Sequence, residues 1–185
     1  KEKPTIEEAF SNLINAGAYV LEPEIFSRMP DGAHSIERDV YPTIAAEGKL
    51  NGFSFEGWFV DAGTPPSWIE AMKVCLSNQR WSSGAALGQS SWLGDGGKVE
   101  LGATVETSAI GAETIIESGS IVRDCSILNG ALIGRDCNLH GCMVGKRAVI
   151  GHGAHLDGVV VDYDAVVPEN HRQSGGVWPN LEASP

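Results

Sequence analysis

Aliphatic residues recur along the second half of the chain with an unusual period. Val99, Ile116, Ile133, Ile150 and Val167 are spaced 17 residues apart, and so are Ile110, Ile127, Val144 and Val161. A third series, Val105, Ile121, Leu139 and Leu156, steps by 16, 18 and 17. Together they place a branched aliphatic residue every five or six positions, a spacing that suits neither an α-helix nor a single alternating strand. Two residues before each lies a small or medium side chain, among them Ser108, Thr114, Gly119, Cys125, Ala131, Cys137, Cys142, Ala148 and Ala154. Three such hexads make one triangular coil. Stacked coils pair as parallel strands roughly 4.8 Å apart and bury continuous aliphatic columns. Gly111, Gly134, Gly145 and Gly151 are expected at corners, where left-handed backbone is tolerated. The repeat predicts a parallel β-helix over 98–170, with a tail over 171–185 able to cover its end.

The first eighty residues carry a mixed α/β pattern. Residues 14–21 read as a strand interrupted by Gly17, and residues 24–29 as a short helical turn opened by Pro23. Ser35 caps a helix with Ile36, Val40 and Ile44 on its apolar face, which Pro42 should break or restart and Gly48 end. Residues 50–60 read as a hairpin or bent strand. Thr64 caps and Pro65 opens a helix running to about residue 80, with Ile69, Met72 and Leu76 facing inward. The Ser- and Gly-rich stretch 81–97 reads as a linker. Within it, Gly94-Asp95-Gly96-Gly97-Lys98 lacks Walker spacing and is a turn.

Composition narrows the functions open to the chain. Of 185 residues, 42% are hydrophobic, enough for a packed core, and no apolar run is long enough for a membrane span. The net charge of −11 argues against non-specific nucleic-acid binding. Cys75, Cys125, Cys137 and Cys142 lack Cys-x-x-Cys spacing, so a structural zinc site is not expected. Reduced thiols and a cytoplasmic setting are, although Cys125 and Cys142 fall one coil apart. The opening Lys1-Glu2-Lys3-Pro4, without an initiator Met, reads as the interior of something longer.

Several short stretches resemble one family in order and spacing. They are Glu2-Lys3-Pro4, Asn15-Ala16-Gly17-Ala18-Tyr19-Val20-Leu21, Ser35-Ile36-Glu37-Arg38-Asp39-Val40-Tyr41-Pro42, Glu47-Gly48-Lys49-Leu50, and Gly57-Trp58-Phe59-Val60-Asp61-Ala62-Gly63-Thr64-Pro65. Residues 1–80 resemble the C-terminal, sugar-binding half of the α/β catalytic domain of sugar-1-phosphate nucleotidyltransferases. Their wording is most similar to the mannose-1-phosphate guanylyltransferase branch. A left-handed parallel β-helix of hexapeptide repeats is that family's usual C-terminal addition, and the left hand is implied by this resemblance.

The resemblance implies attack of a sugar-1-phosphate oxygen on the α-phosphate of a nucleoside triphosphate, with release of pyrophosphate. Two polyanions must meet, so charge neutralisation and alignment are the catalytic need. Glu2 would hold sugar hydroxyls and Lys3 the sugar phosphate. Asn15 and the Gly17 backbone would hold the sugar, and Asp61 would bind Mg²⁺. Trp58 is expected to pack in the core. The family's N-terminal half, with its Gly-x-Gly-Thr-Arg-Leu signature and a partner aspartate, has no counterpart in the 185 residues. The chain alone is therefore expected to be inactive, and to need that half as a missing segment or a second polypeptide. Homo-oligomerisation through the β-helix is a further expectation. The competing readings are a non-catalytic regulatory relative that binds nucleotide sugar and, more remotely, a hexapeptide acyltransferase using His140, His152 or His155 as a base. The near-constant coil length leaves no inserted loop to build the latter's site.

Overall fold

The computed structural model describes residues 7, 11, 13–80, 83–88 and 90–180. It divides into two compact units, 1–59 and 60–185.

The second unit is a parallel β-solenoid of about five turns with three faces, the left-handed hexapeptide β-helix expected from the repeat. The first face stacks Ser91–Leu93, Ala109–Ile110, Ser126–Ile127, Met143–Val144, Val160–Val161 and Val177–Trp178. The second stacks Lys98–Val99, Ile115–Ile116, Leu132–Ile133, Val149–Ile150 and Val166–Val167. The third stacks Thr104–Glu106, Ile121–Arg123, Asn138–His140, His155–Asp157 and Arg172–Ser174. An antiparallel strand, Ala85–Leu87, folds onto the first rung. The ladders thus begin at Ser91 and end at Trp178, outside the 98–170 read from the hexads.

The period is 17 residues without exception. On the third face, Val105 pairs with Val122 and Val122 with Leu139. Val122 is fully buried while Ile121 is only half-buried, so Val122 and not Ile121 holds the inward station. The irregular steps of 16 and 18 came from choosing the wrong member of adjacent aliphatics. The small residue two before it is Ser120, also fully buried. Each buried aliphatic side chain contributes roughly 1.5–3 kcal/mol relative to exposure.

The small stations carry hydrogen bonds as well. Ser91 Oγ accepts from Ser108 N at 3.1 Å, Ser108 Oγ from Cys125 N at 3.0 Å, and Cys125 Sγ from Cys142 N at 3.4 Å. In turn, Ser108 Oγ donates to Glu106 O at 2.7 Å and Cys125 Sγ to Arg123 O at 3.0 Å. A peptide N–H that turns inward at the corner is thereby paired, which a buried amide requires. All four cysteines are free thiols. The Cys142 side chain and burial push the Cys125 thiol well above its ordinary range, so it is an inert neutral thiol.

Each corner contains one left-handed residue per coil, at 96, 113, 130, 147 and 164, at 102, 119, 136, 153 and 170, and at 107, 124, 141, 158 and 175. Gly111, Gly134, Gly145 and Gly151 are not among them. Their requirement is space, because a β-carbon there would lie 2.5–2.9 Å from the backbone of the next coil. At the carboxyl end, His171 packs on Trp178 with ring centres 4.4 Å apart, and Trp178 Nε1 donates to Val166 O at 2.9 Å.

Helix α2, Pro65–Ser77, belongs to the same unit. Thr64 and Ser67 form a reciprocal capping box, as expected for Thr64. The helix lies on the first face. Its Trp68 Nε1 donates to Ser126 Oγ at 3.0 Å, and Lys73 Nζ reaches Asp124 at 2.7 Å.

In the first unit, Pro23–Arg28 is a 3₁₀-helix, Ile36–Val40 a π-helical turn and Tyr41–Ala46 helix α1. The π-helical turn ends at Val40 and a new helix starts at Tyr41, the restart expected of Pro42. Pro42 sits in the opening turn of α1, where a missing N–H costs nothing. Ile25, Val40, Tyr41 and Ile44 form a small core. Residues 14–21 and 50–60 are not strands. Their neighbouring large side chains stand in solvent, with Val20, Phe53 and Trp58 at 103%, 91% and 71% exposure. Trp58 therefore does not take the core position expected for it.

Space and backbone strain can be separated by mutation. Gly145→Ala should cost about 1–3 kcal/mol through overpacking. Gly158→Asn should cost under about 1 kcal/mol, because Asn tolerates left-handed backbone and nothing lies within 4 Å of a β-carbon there. Equal losses in urea unfolding would contradict this division.

Candidate functional site

Three places hold chemistry. The first is built by the Ser35 cap. Ser35 Oγ accepts from Arg38 N, and Asp39 accepts from Ser35 N at 2.8 Å. This fixes Glu37 in the first turn of the helix. Glu37 Oε1 then accepts from Asn15 Nδ2 at 3.0 Å and from Tyr19 Oη. Asn15 Oδ1 accepts from Gly17 N at 2.9 Å, an Asx turn that uses the positive φ of Gly17. Tyr19 meets Tyr41 edge-on at 5.0 Å. The Glu37 hydrogen bond raises the Tyr19 pKa, keeping it a neutral donor. Tyr41 Oη is buried without a partner among the described residues.

Asn15 and Gly17, both expected to bind sugar, are thus brought together. The sequence reading did not assign site roles to Glu37 and Tyr19, although both lie inside the motifs that carried the resemblance. An exposed carboxylate, phenol and carboxamide in one cluster present donors and acceptors of the kind that bind a polyhydroxylated ligand. Glu2 and Lys3 lie outside the described residues.

The second place is Asp61, in the second unit. It is exposed, three residues before the cap of α2, and its Oδ1 accepts from Gly63 N at 3.1 Å. No group of three or more potential metal ligands occurs among the described residues. A lone exposed carboxylate suits Mg²⁺, which takes one or two carboxylates and completes its shell with water and phosphate oxygens. Asp61 could supply one ligand of such a set.

The third place is the outer surface of the third face. His140 Nδ1 lies 2.8 Å from Asp157 Oδ1, and its Nε2 lies 3.5 Å from Asp124, which also receives Lys73. The hydrogen bond to Asp157 raises the His140 pKa. His152 is exposed, 4.0 Å from Asp136. His140 lies between two carboxylates, Asp157 on Nδ1 and Asp124 facing Nε2, so both ring nitrogens face acids of the coil itself.

Known proteins resemble the chain in two successive segments. Residues 1–78 match the nucleotidyl transferase family, and residues 76–165 match the GlmU-like, C-terminal hexapeptide family. The chain is thus similar first to nucleotidyl transferases and then to hexapeptide β-helices. A probable mannose-1-phosphate guanylyltransferase 3 from Oryza sativa subsp. japonica is 31% identical over 71% of this chain and 38% of its own length. The mannose-1-phosphate guanyltransferase of Schizosaccharomyces pombe is 30% identical over 67% of this chain and 30% of its own. That of Aspergillus fumigatus is 35% identical over 42% of this chain and 21% of its own. The chain thus spans well under half the length of these relatives. Among solved structures, a perosamine N-acetyltransferase from Caulobacter crescentus covers 47% of this chain and 49% of its own, at 23% identity and a TM-score of 0.36. The family boundary near 76–78 differs from the packing boundary at 59–60, because α2 belongs by sequence to the first segment and by contact to the β-helix.

The histidine pair makes a pH prediction. His140 has a raised pKa in the folded state, so its contribution is complete below its unfolded value near ~6.5 and is lost as pH rises through the folded value. Thermal midpoints should contain a component that falls from mildly acidic to mildly alkaline pH. Asp157→Asn should remove it, and an unchanged slope in that variant would refute the pairing.

Proposed function

We propose that the chain is the C-terminal part of a cytoplasmic sugar-1-phosphate nucleotidyltransferase, forming GDP-mannose from mannose-1-phosphate and GTP with release of pyrophosphate. The observation that carries this reading is the order of the two family segments, nucleotidyl transferase then hexapeptide β-helix. The names of the plant and fungal relatives support the choice of mannose and guanine nucleotide.

In this reading the chain's own residues bind and align one substrate. Lys3 neutralises the sugar phosphate and Glu2 accepts from sugar hydroxyls. Asn15 and the Gly17 backbone hold the sugar ring, and Glu37 and Tyr19 fix the Asn15 carboxamide. Bringing the phosphate oxygen in line with the α-phosphate is then a matter of positioning, the larger part of phosphoryl-transfer catalysis. Asp61 would hold Mg²⁺, which supplies charge neutralisation on the phosphates when bound.

Activity needs the nucleotide-binding half, as a preceding segment or a second polypeptide. Support comes from 14–21 and 50–60, which make no backbone–backbone hydrogen bond among the described residues, from their exposed aromatic side chains, and from the orphaned Tyr41 hydroxyl. Each is a group that a larger domain would cover. Self-association through the β-helix fits the second face, whose outward column is Ile115, Leu132, Val149 and Val166 in register.

The test is pyrophosphate release from GTP and mannose-1-phosphate. The 185-residue chain alone should show none, whereas the enzyme with its N-terminal half should turn over. In that enzyme Asp61→Asn should lower kcat roughly 100-fold, since metal charge stabilisation supplies several kcal/mol. Turnover by the isolated chain would overturn the partial-enzyme reading, and full activity of the variant at ordinary Mg²⁺ would overturn the metal role.

A further inference from the structure

The third face of the β-helix carries a shallow groove of about 600 Å³ over its last three coils. Two parallel columns of side chains form its floor. One runs Asn138, His155, Arg172 and the other His140, Asp157, Ser174, each in register from coil to coil.

The charges of the face divide into two kinds. Those lying along the second column are neutralised locally. Arg123 meets Glu106 at 2.8 Å, and His140 meets Asp157 at 2.8 Å and Asp124 at 3.5 Å. Those of the first column are not. Among the described residues, Arg172, His155 and Asn138 make no side-chain hydrogen bond or ion pair, and neither does Ser174 across from them. Arg172 and Arg80 are the arginines for which no carboxylate partner occurs among the described residues, and only Arg172 belongs to the coils. This one sits directly over an imidazole on the next rung, roughly 4.8 Å away at strand spacing. Asp157, the one carboxylate in the groove, is turned to His140.

We propose that this groove binds a phosphate group, with Arg172 and His155 as its principal donors and Asn138 and Ser174 completing the contacts. A phosphate has enough acceptor oxygens to engage adjacent rungs at once. A planar guanidinium is the side chain best matched to it. The site is made entirely by the hexapeptide coils and uses none of Asn15, Gly17 and Asp61. Its phosphate could be free or part of a nucleotide.

The experiment is titration of the full 185-residue chain with inorganic phosphate, pyrophosphate and GDP at constant ionic strength. Binding is followed by calorimetry and by the His155 imidazole resonances. Saturable binding with movement of His155 is expected for at least one of the three. Arg172→Gln should weaken it at least about tenfold, the loss typical of a charged hydrogen bond. Arg123→Gln, on the same face but already paired, should change it by less than about twofold. Tighter binding of GDP than of inorganic phosphate would assign the site to a nucleotide, and equal binding to phosphate itself. Either supports the proposal. No saturable binding of any probe, or equal weakening by the two arginine variants in folded protein, would overturn it.

Discussion

The structure depends on register between coils. One residue of slippage would turn every inward aliphatic outward, because a two-residue strand has only one inward position. The 17-residue period holds that register in three ways. Aliphatic columns stack on all three faces, one left-handed residue closes each corner, and small polar residues take up the inward-turned amides. Glycines such as Gly145 matter for a different reason, since the next coil passes too close for a β-carbon. The β-helix therefore presents rigid outer faces, each with its own chemistry. The first takes α2, the second is aliphatic and the third is charged.

The first unit contrasts with this. Among the described residues its core is four buried side chains, and two long segments make no backbone–backbone hydrogen bond. A unit so small cannot bury enough apolar surface to offset its chain entropy comfortably. Its motifs are nonetheless in order, and the Ser35 cap holds the Asn15, Tyr19 and Glu37 cluster together. The local sequence thus specifies local geometry even where little core surrounds it. The docking of α2 on the β-helix links the segment that follows Asp61 to the rigid part of the molecule.

Much of this was legible in the residues. The β-helix followed from periodicity alone, because a repeat reports its fold many times over. The exception was Ile121, where two adjacent aliphatics, Ile121 and Val122, left the register ambiguous until pairing resolved it. The Thr64 and Ser35 caps were visible because capping is local chemistry. The strands expected over 14–21 and 50–60 were not formed. A strand needs a partner, and alternating side chains cannot report whether one is present. Trp58 was misplaced for the same reason. The expected roles of Glu2, Lys3, Asn15, Gly17 and Asp61 rest on motif resemblance alone. Glu37 and the third-face groove escaped notice because their meaning lies in contacts between residues distant in sequence.

The central claim is that the β-helix is self-sufficient, whereas the segment before it, similar to nucleotidyl transferases, is ordered only locally. Native-state hydrogen exchange on the 185-residue chain tests it most directly. The account predicts strongly protected amides at the ladder positions between residues 108 and 167, with rapid exchange through 14–21 and 50–60. Protection of those two segments comparable to that of the coils would show a complete, self-contained domain and would contradict it.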